Sequence, residues 1–234
     1  MFMPNSYAER IVPGHGDKRS KIAIVGEFTD NFDDRALRPF SGPGGSVLEQ
    51  CLHAAGLIRG EVYLTNVIKT KPIEKGKARG FGGTNAEYFN DSKGIFTAKA
   101  GPHLDMLRDE IDGLAANVIV AAGPAAFAAL AGSAKAAKLR GYVVPSTGFG
   151  AVRKVIPTLS PAATIRGGYT NRHLIVADLK KAKSECDFSE IVRPQRQLVY
   201  HYDTVQEALD WLEYFVDQPR VCFDIEVINF ETSC

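Results

Sequence analysis

The sequence contains no apolar run long enough to cross a membrane as a helix. The longest candidate, residues 118–131, is half alanine and is interrupted by Gly123 and Pro124, whereas a spanning helix needs about 20 apolar residues. Residues 1–19 are polar and lack the apolar segment of a secretory signal peptide. We therefore expect a cytoplasmic protein with no membrane partner.

Cysteine is also scarce. The chain has four cysteines, and they are far apart in the sequence: Cys51, Cys186, Cys222 and Cys234. No two of them form a CxxC pair or another spacing typical of a metal site. Reduced thiols, as in most cytosolic proteins, are the expected state.

The chain has almost no net charge, with a formal value of +1 over 234 residues. The charges are unevenly distributed, however. Residues 1–185 carry 25 basic and 17 acidic side chains, and residues 186–234 carry 3 and 10. This asymmetry predicts two modules with different partners, and the length allows one full domain and a remainder.

Strands and helices alternate along the first module. Short apolar segments predict strands at 21–27, 61–68, 118–122 and 154–159, and helical spacing predicts helices at 45–57, 102–114, 124–130 and 172–183. This order predicts an α/β fold, a three-layer α/β/α arrangement with a central four-stranded parallel sheet. We expect this domain to span residues 1–185, with loops at 28–44 and 74–100 and a linker at 186–196.

The second module is short. Residues 197–202 and 220–227 read as strands, and a capping box that begins at Thr204 and includes Glu207 predicts a helix to residue 215. Such an incomplete β-α-β segment cannot easily bury its own faces. We expect residues 197–234 to be the beginning of a further domain, and the chain to be a fragment of a longer protein.

Ligands of parallel α/β sheets bind outside the carboxyl ends of the strands. Four polar or small residues stand at those ends here, Gly26 with Glu27, Asn66 and Ser160, and Phe40 lies in the first loop. Together they predict a pocket for a small ligand. Each residue has an alternative reading: Glu27 as a solvated acid, Asn66 as a turn or cap, and Phe40 as core. The glycines at 42–45 fit neither common phosphate-binding pattern.

In combination these segments resemble the uracil-DNA glycosylase superfamily, most closely its family 4 type, over about residues 10–182. The resemblance rests on 12–14, 22–27, 38–42, 61–72, 118–123 and 158–162. It implies that Phe40 stacks on a flipped base and that Asn66 reads uracil beside Gly26. It also implies catalytic roles for Glu27 and Ser160, and DNA contacts are expected from Lys69, Lys71, Pro161 and Arg166.

The sequence departs from this family at several positions. Ser160 stands where the family has a histidine, and losing one preorganised donor typically costs about 10²–10³ in rate. Phe28-Thr29-Asp30 replaces Ala-Pro-Gly, and the nearby acids Asp30, Asp33 and Asp34 could compensate in part. The cysteines that bind the family's iron–sulfur cluster are absent, with Thr70 and Ala100 at two of their positions. We therefore predict no iron–sulfur cluster and no other cofactor for this domain.

The end of the chain carries a second resemblance. Phe223-Asp224-Ile-Glu226 resembles the first motif of a DnaQ-like 3′–5′ exonuclease. Because residues i and i+2 of a strand share a face, Asp224 and Glu226 could bind one divalent ion, Mg²⁺ or Mn²⁺, in a complete exonuclease domain. Glycosylase-like domains precede exonuclease and polymerase domains in phage-type DNA polymerases. The resemblance therefore implies downstream domains of one parent chain as partners.

Three functional hypotheses remain open on the sequence. The first domain is an enzyme that excises uracil or a related pyrimidine from DNA. Alternatively, it has lost catalysis and serves a replicative polymerase as a base-sensing or DNA-positioning module, as Ser160 suggests. The third hypothesis is an interaction domain without pocket chemistry, because a fold alone does not fix an activity.

Overall fold

The structure, a computed structural model, describes residues 10–72, 87–90, 92–167, 169–192 and 204–216. The chain divides into two compact units, Met1–Val192 and Arg193–Cys234. The first unit contains the sheet and the candidate site. In the second, the structure describes one helix.

A five-stranded sheet forms the centre of the first unit. Its described strands, together with those of a small hairpin, are β1 (Ile22–Phe28), β2 (Val62–Ile68), β3 (Phe89–Asn90), β4 (Ile95–Phe96), β5 (Val118–Ala122), β6 (Val144–Pro145) and β7 (Lys154–Thr158). The sheet order is β2-β1-β5-β7-β6, and the first four strands in this order are parallel. The predicted four-stranded parallel sheet is therefore confirmed. The two-residue strand β6 adds an antiparallel edge that is too short to show a sequence pattern.

Helices cover both faces of this sheet. They are α1 (Asn31–Ala36), α2 (Pro43–Ala54), α3 (Gly101–Asp112), α4 (Pro124–Ala131), α5 (Ala136–Leu139), α6 (Pro161–Gly167) and α7 (Arg172–Glu185). Side chains alternate along β1, so that Ala23 and Val25 join one apolar cluster while Ile22 and Ile24 join the other. Helices α3 and α4 contribute to the first cluster, and α2 and α7 to the second. The three-layer prediction is thus confirmed.

Two segments expected to be loops contain regular structure. Helix α1 lies within 28–44, and the Asp30 carboxylate caps it by accepting from the backbone amides of Phe32 and Asp33. Within 74–100, β3 and β4 pair as a hairpin that buries Tyr88 and Phe89. Elements of two to six residues are too short for a hydrophobic period to reveal them.

The first unit also extends beyond residue 185. Asn117 Nδ2 donates to the Cys186 carbonyl at 2.8 Å, and Lys21 Nζ lies 2.5 Å from an Asp187 carboxylate oxygen. The Lys154 ammonium sits 3.4 Å from the centre of the Phe188 ring. The first residues of the expected linker therefore pack on the domain.

In the second unit, helix α8 spans Val205–Val216. The Glu207 amide donates to Thr204 Oγ1 and the Thr204 amide donates to Glu207 Oε2, each at 3.2 Å. The predicted capping box is thus confirmed. The predicted strands at 197–202 and 220–227, with Asp224 and Glu226, lie outside the described residues. Over the described part of the chain, the helices are all too short or too polar to cross a membrane.

Candidate active site

The carboxyl ends of β1 and β2 bring Gly26 and Asn66 side by side, because the two residues are register partners in the parallel pair. A Cβ atom on Gly26 would lie 2.3 Å from Asn66 Oδ1 and 2.7 Å from Phe40 Cζ. Both distances are shorter than real Cβ contacts, so only glycine lets the amide and the aromatic ring approach the backbone together. The three residues expected to bind a base therefore meet at one point.

Phe40 holds an uncommon backbone conformation. Its φ angle is +55°, in the left-handed region that residues other than glycine seldom adopt. The carbonyl of Phe40 packs against Gly45 so closely that a Cβ there would lie 1.9 Å from the oxygen. The next residue, Ser41, donates its amide to Asp33 Oδ1 at 2.8 Å. The loop is thus held in the conformation that presents the ring.

Asp33 also lies at the candidate site, although the sequence alone did not predict where its side chain is placed. It lies on α1 and is only 4% exposed. Its Oδ2 accepts from Asn66 Nδ2 at 3.0 Å while Oδ1 accepts from the Ser41 amide. Burial raises the pKa of this carboxyl, and the hydrogen bonds from Ser41 and Asn66 oppose that shift. Asp33 therefore links the loop of Phe40 to the amide of Asn66.

Glu27 follows Gly26 on β1 and is half-buried. Its Oε1 accepts from the Ala125 amide at 3.0 Å, in the first turn of α4, where the helix dipole favours an anion. A Cβ on Gly123 would lie 2.3 Å from the Glu27 carboxyl carbon, and Gly123 has a φ angle of +112°. The carboxylate is thus held in the site by α4, and the reading of Glu27 as a solvated loop acid is wrong.

Ser160 stands between β7 and α6 at the same edge of the sheet. Its carbonyl accepts from the amides of Ala163 and Thr164 at 3.0 and 3.3 Å, which starts α6. Helix α6 contacts the start of α2, since a Cβ on Gly44 would lie 3.1 Å from Ala162 Cβ. The segment of Ser160 therefore packs against the helix that follows the loop of Phe40.

The four expected DNA contacts have different surroundings. Lys71 is exposed, whereas Pro161 is buried at the first position of α6, and Arg166 belongs to the same helix. Lys69 is only 3% exposed, and its ammonium binds the Glu110 carboxylate and Thr65 Oγ1. These positions correct the expectation that Lys69 and Pro161 contact DNA, because neither side chain is available at the surface.

Glu110 on α3 is the centre of a polar network. Besides Lys69, it accepts from Tyr63 Oη at 2.7 Å and from Thr65 Oγ1 at 2.8 Å. Burial, followed by the hydrogen bond to Glu110, raises the pKa of Tyr63, and burial lowers the pKa of Lys69. The network joins α3 to β2 and thus supports the strand that carries Asn66.

Comparison with known proteins places this chain in one family. The uracil DNA glycosylase superfamily profile matches residues 13–182. The chain belongs to the uracil DNA glycosylase superfamily. The matched segment contains Gly26, Glu27, Phe40, Asn66 and Ser160.

Curated relatives are similar to parts of the chain. A type-4 uracil-DNA glycosylase of Thermotoga maritima is 29% identical over 74% of this chain and 82% of its own length. One of Pyrobaculum aerophilum is 40% identical over 29% of this chain and 35% of its own length. One of Archaeoglobus fulgidus is 41% identical over 26% of this chain and 31% of its own length.

The iron–sulfur cluster that the resemblance implies needs cysteine ligands, and the residues at the corresponding place do not fit one. Ala100 is buried, and Thr70 Oγ1 lies 3.5 Å from the hydroxyl of Tyr88, whose ring packs edge-on against His103. Cys51 belongs to the apolar cluster on the opposite face of the sheet. Within the described ranges, no group of three or more His, Cys, Asp or Glu side chains could hold a metal. That the protein needs no cofactor stays a prediction.

Proposed function

We propose that the first unit excises uracil from DNA by hydrolysing the N-glycosidic bond, and so acts in base-excision repair. The observation that carries the proposal is the convergence of Asn66, Phe40 and Gly26 at the carboxyl edge of the sheet. Support comes from the family to which the chain belongs and from the type-4 uracil-DNA glycosylases similar to it.

The groups of the site match the chemistry of uracil. Uracil offers an acceptor at O4 and a donor at N3, and an asparagine amide offers one donor group and one acceptor. Asn66 Nδ2 uses one hydrogen on Asp33 and retains a second for O4, while Oδ1 accepts from N3. Phe40 supplies a stacking face for the flipped base, as in other enzymes that extrude a base from the duplex.

In the chemical step, the bond between C1′ and the base nitrogen breaks and water adds to C1′, which leaves an abasic site and free uracil. Negative charge develops on the departing base, and a donor placed at that charge lowers the barrier. The Ser160 hydroxyl is the donor proposed for this task. The Glu27 carboxylate, held by the Ala125 amide, is proposed to orient the attacking water.

The flanking features extend this proposal. Lys71 and Arg166 are proposed to contact DNA phosphates, a contribution that weakens with salt. The resemblance of the segment with Asp224 and Glu226 to an exonuclease motif supports a parent chain that is a DNA polymerase with downstream exonuclease and polymerase domains. Salt-dependent binding of wild type and Lys71→Ala would test the phosphate contact.

The proposal is tested with oligonucleotides that contain one uracil, single-stranded and paired, followed by alkali cleavage. Wild type should release an abasic product slowly, and Asn66→Ala and Phe40→Ala should not. Asn171→Ala is the matched control, because Asn171 is exposed and its side chain caps no helix amide. Lack of product from both substrates would refute the excision activity.

A second candidate function follows from Ser160. A hydroxyl stabilises an anion less well than imidazole, so the domain would bind uracil in DNA as a sensor without excising it. Ser160→His decides between the two, with Ser184→His on the exposed surface of α7 as its control. For an active enzyme we expect roughly a 10²-fold faster excision in Ser160→His. Selective binding of uracil-containing DNA with no excision by either protein would favour the sensor.

A further inference from the structure

The amide of Asn66 is held in one orientation by a buried carboxylate. Asp33 Oδ2 lies 3.0 Å from Asn66 Nδ2, and Asp33 is only 4% exposed. An ionised carboxylate has acceptors but no proton to donate. Rotating the amide by half a turn would bring its oxygen against Asp33 Oδ2, which would place two acceptors in contact away from water. The carboxylate therefore selects the orientation in which Nδ2 faces Asp33.

This orientation decides what the other side of the amide offers. Asn66 Oδ1 and the edge of the Phe40 ring both lie against Gly26, since both approach the same Cβ position on that residue. A base stacked on Phe40 thus meets an acceptor from Oδ1 and the second hydrogen of Nδ2. Uracil has a donor at N3 and an acceptor at position 4, which complements this pattern. Cytosine has an acceptor at N3 and an amino group at position 4, which complements the rotated amide.

We infer that Asp33 is a positioning residue that makes the site selective for uracil over cytosine by fixing the amide of Asn66. The inference rests on the proposed function, because it concerns the base that this site accepts. Asp33 does not touch the base in this arrangement. Its effect passes through Asn66.

The other bonds of Asp33 show how it is kept in place. The Asp30 carboxylate accepts from the Asp33 amide at 2.8 Å, which sets the start of α1. Asp33 Oδ1 accepts from the Ser41 amide, so that this oxygen is committed to the loop and Oδ2 to the base-binding amide. The two oxygens of one carboxylate thus couple the position of the Phe40 loop to the orientation of Asn66.

This division of tasks gives an informative substitution. In Asp33→Asn, the side-chain oxygen is still needed by the Ser41 amide, so the new NH₂ group faces Asn66. Two NH₂ groups cannot bond to each other, and the amide of Asn66 is therefore driven to rotate. The rotated amide offers cytosine the better match. We expect the ratio of uracil to cytosine excision to fall roughly 10–100-fold, the factor corresponding to one unmade buried hydrogen bond.

The experiment compares wild type, Asp33→Asn and Asp33→Glu, with Asp34→Asn as the matched control. Asp34 is the neighbour of Asp33, is partly exposed and pairs with Arg10. Excision and equilibrium binding are measured on single-stranded oligonucleotides that carry one uracil or one cytosine at the same position. Thermal unfolding of each variant establishes that its fold is retained. Asp33→Glu keeps the carboxylate and should retain more of the selectivity than Asp33→Asn.

The outcomes separate this inference from the proposed function. A lower uracil-to-cytosine ratio in folded Asp33→Asn, with Asp34→Asn unchanged, supports both. If wild type excises uracil and the ratio is the same in Asp33→Asn, the inference is overturned and the function stands. If wild type excises nothing but binds uracil selectively, loss of that selectivity in Asp33→Asn supports the inference alone. Neither excision nor selective binding by wild type overturns both.

Discussion

The pair formed by Lys69 and Glu110 predicts a large effect from a change of one functional group. Glu110→Gln keeps the shape of the side chain and removes its charge. The Lys69 side chain is 3% exposed, so its ammonium then stays buried without a counter-charge. The amide also presents an NH₂ group to a site where Tyr63, Thr65 and Lys69 all act as donors. The substitution therefore leaves donors facing one another in a largely buried place.

The expected cost follows from the burial of both partners. The Glu110 side chain is 14% exposed, and breaking a buried pair by removing one partner costs about 3–5 kcal/mol. We expect about 3 kcal/mol, because the amide oxygen of glutamine still accepts one of the three donors. A loss of this size is a large part of a total stability of about 5–15 kcal/mol. The double variant Lys69→Met/Glu110→Gln removes the buried charge as well, and we expect it to be more stable than Glu110→Gln alone.

Urea unfolding followed by far-UV circular dichroism measures these differences in the free energy of unfolding. Fluorescence is less suitable, because the single tryptophan, Trp211, belongs to the second unit. Asp105→Asn is the control, since Asp105 forms an exposed ion pair with Arg108, and such pairs contribute at most about 1 kcal/mol. A cost for Glu110→Gln as small as that of the control would refute the reasoning. A double variant whose cost equals the sum of the costs of Lys69→Met and Glu110→Gln measured singly would refute it too.

Four further results are expected. Because burial and then the hydrogen bond to Glu110 raise the pKa of Tyr63, the folded state keeps the phenol proton after the unfolded chain has lost it near pH 10. The free energy of unfolding should therefore fall as the pH rises above about 10. The fall should be smaller in Tyr63→Phe, and unfolding curves measured from pH 9 to 11 test this. Gly123→Ala adds a Cβ at a φ angle of +112° against the Glu27 carboxyl, so we expect a loss of about 1–3 kcal/mol in urea unfolding together with slower excision. Tyr88→Ala leaves a cavity at a fully buried position, so we expect the free energy of unfolding to fall by about 3–5 kcal/mol. Metal analysis of the wild-type protein should find no stoichiometric iron.

The sheet and the meeting point of the site could be predicted because both depend on short, local patterns. Runs of apolar residues such as 118–122 mark buried strands, and parallel strands place their carboxyl ends at one edge. The pairing of Gly26 with Asn66 follows from two such strands being neighbours. A role for Phe40 is predicted from the resemblance to the family, since its loop has no hydrophobic period of its own.

Contacts between distant segments could not be predicted in the same way. Asp33 reaches Asn66 from α1, a six-residue helix in the loop after β1, across 33 residues of sequence. Lys69 is part of a basic run, Lys69-Thr70-Lys71, which is typical of a solvent-exposed surface. It follows β2, all seven residues of which are buried, so no alternation marks which side chains point outward. The compensating charge, Glu110, is 41 residues away in the sequence.

The polar groups of the site bind one another before any base enters. Asp33 holds Asn66 and the Ser41 amide, and the Ala125 amide holds Glu27. The hydrogen bonds that hold the proposed recognition groups thus do not involve Ser160, the proposed donor to the departing base. It follows that rate and selectivity should separate: Ser160→His should change the excision rate with the uracil-to-cytosine ratio unchanged, whereas Asp33→Asn should change that ratio. If Ser160→His altered the ratio as much as the rate, the two groups would have to act on the base as one unit.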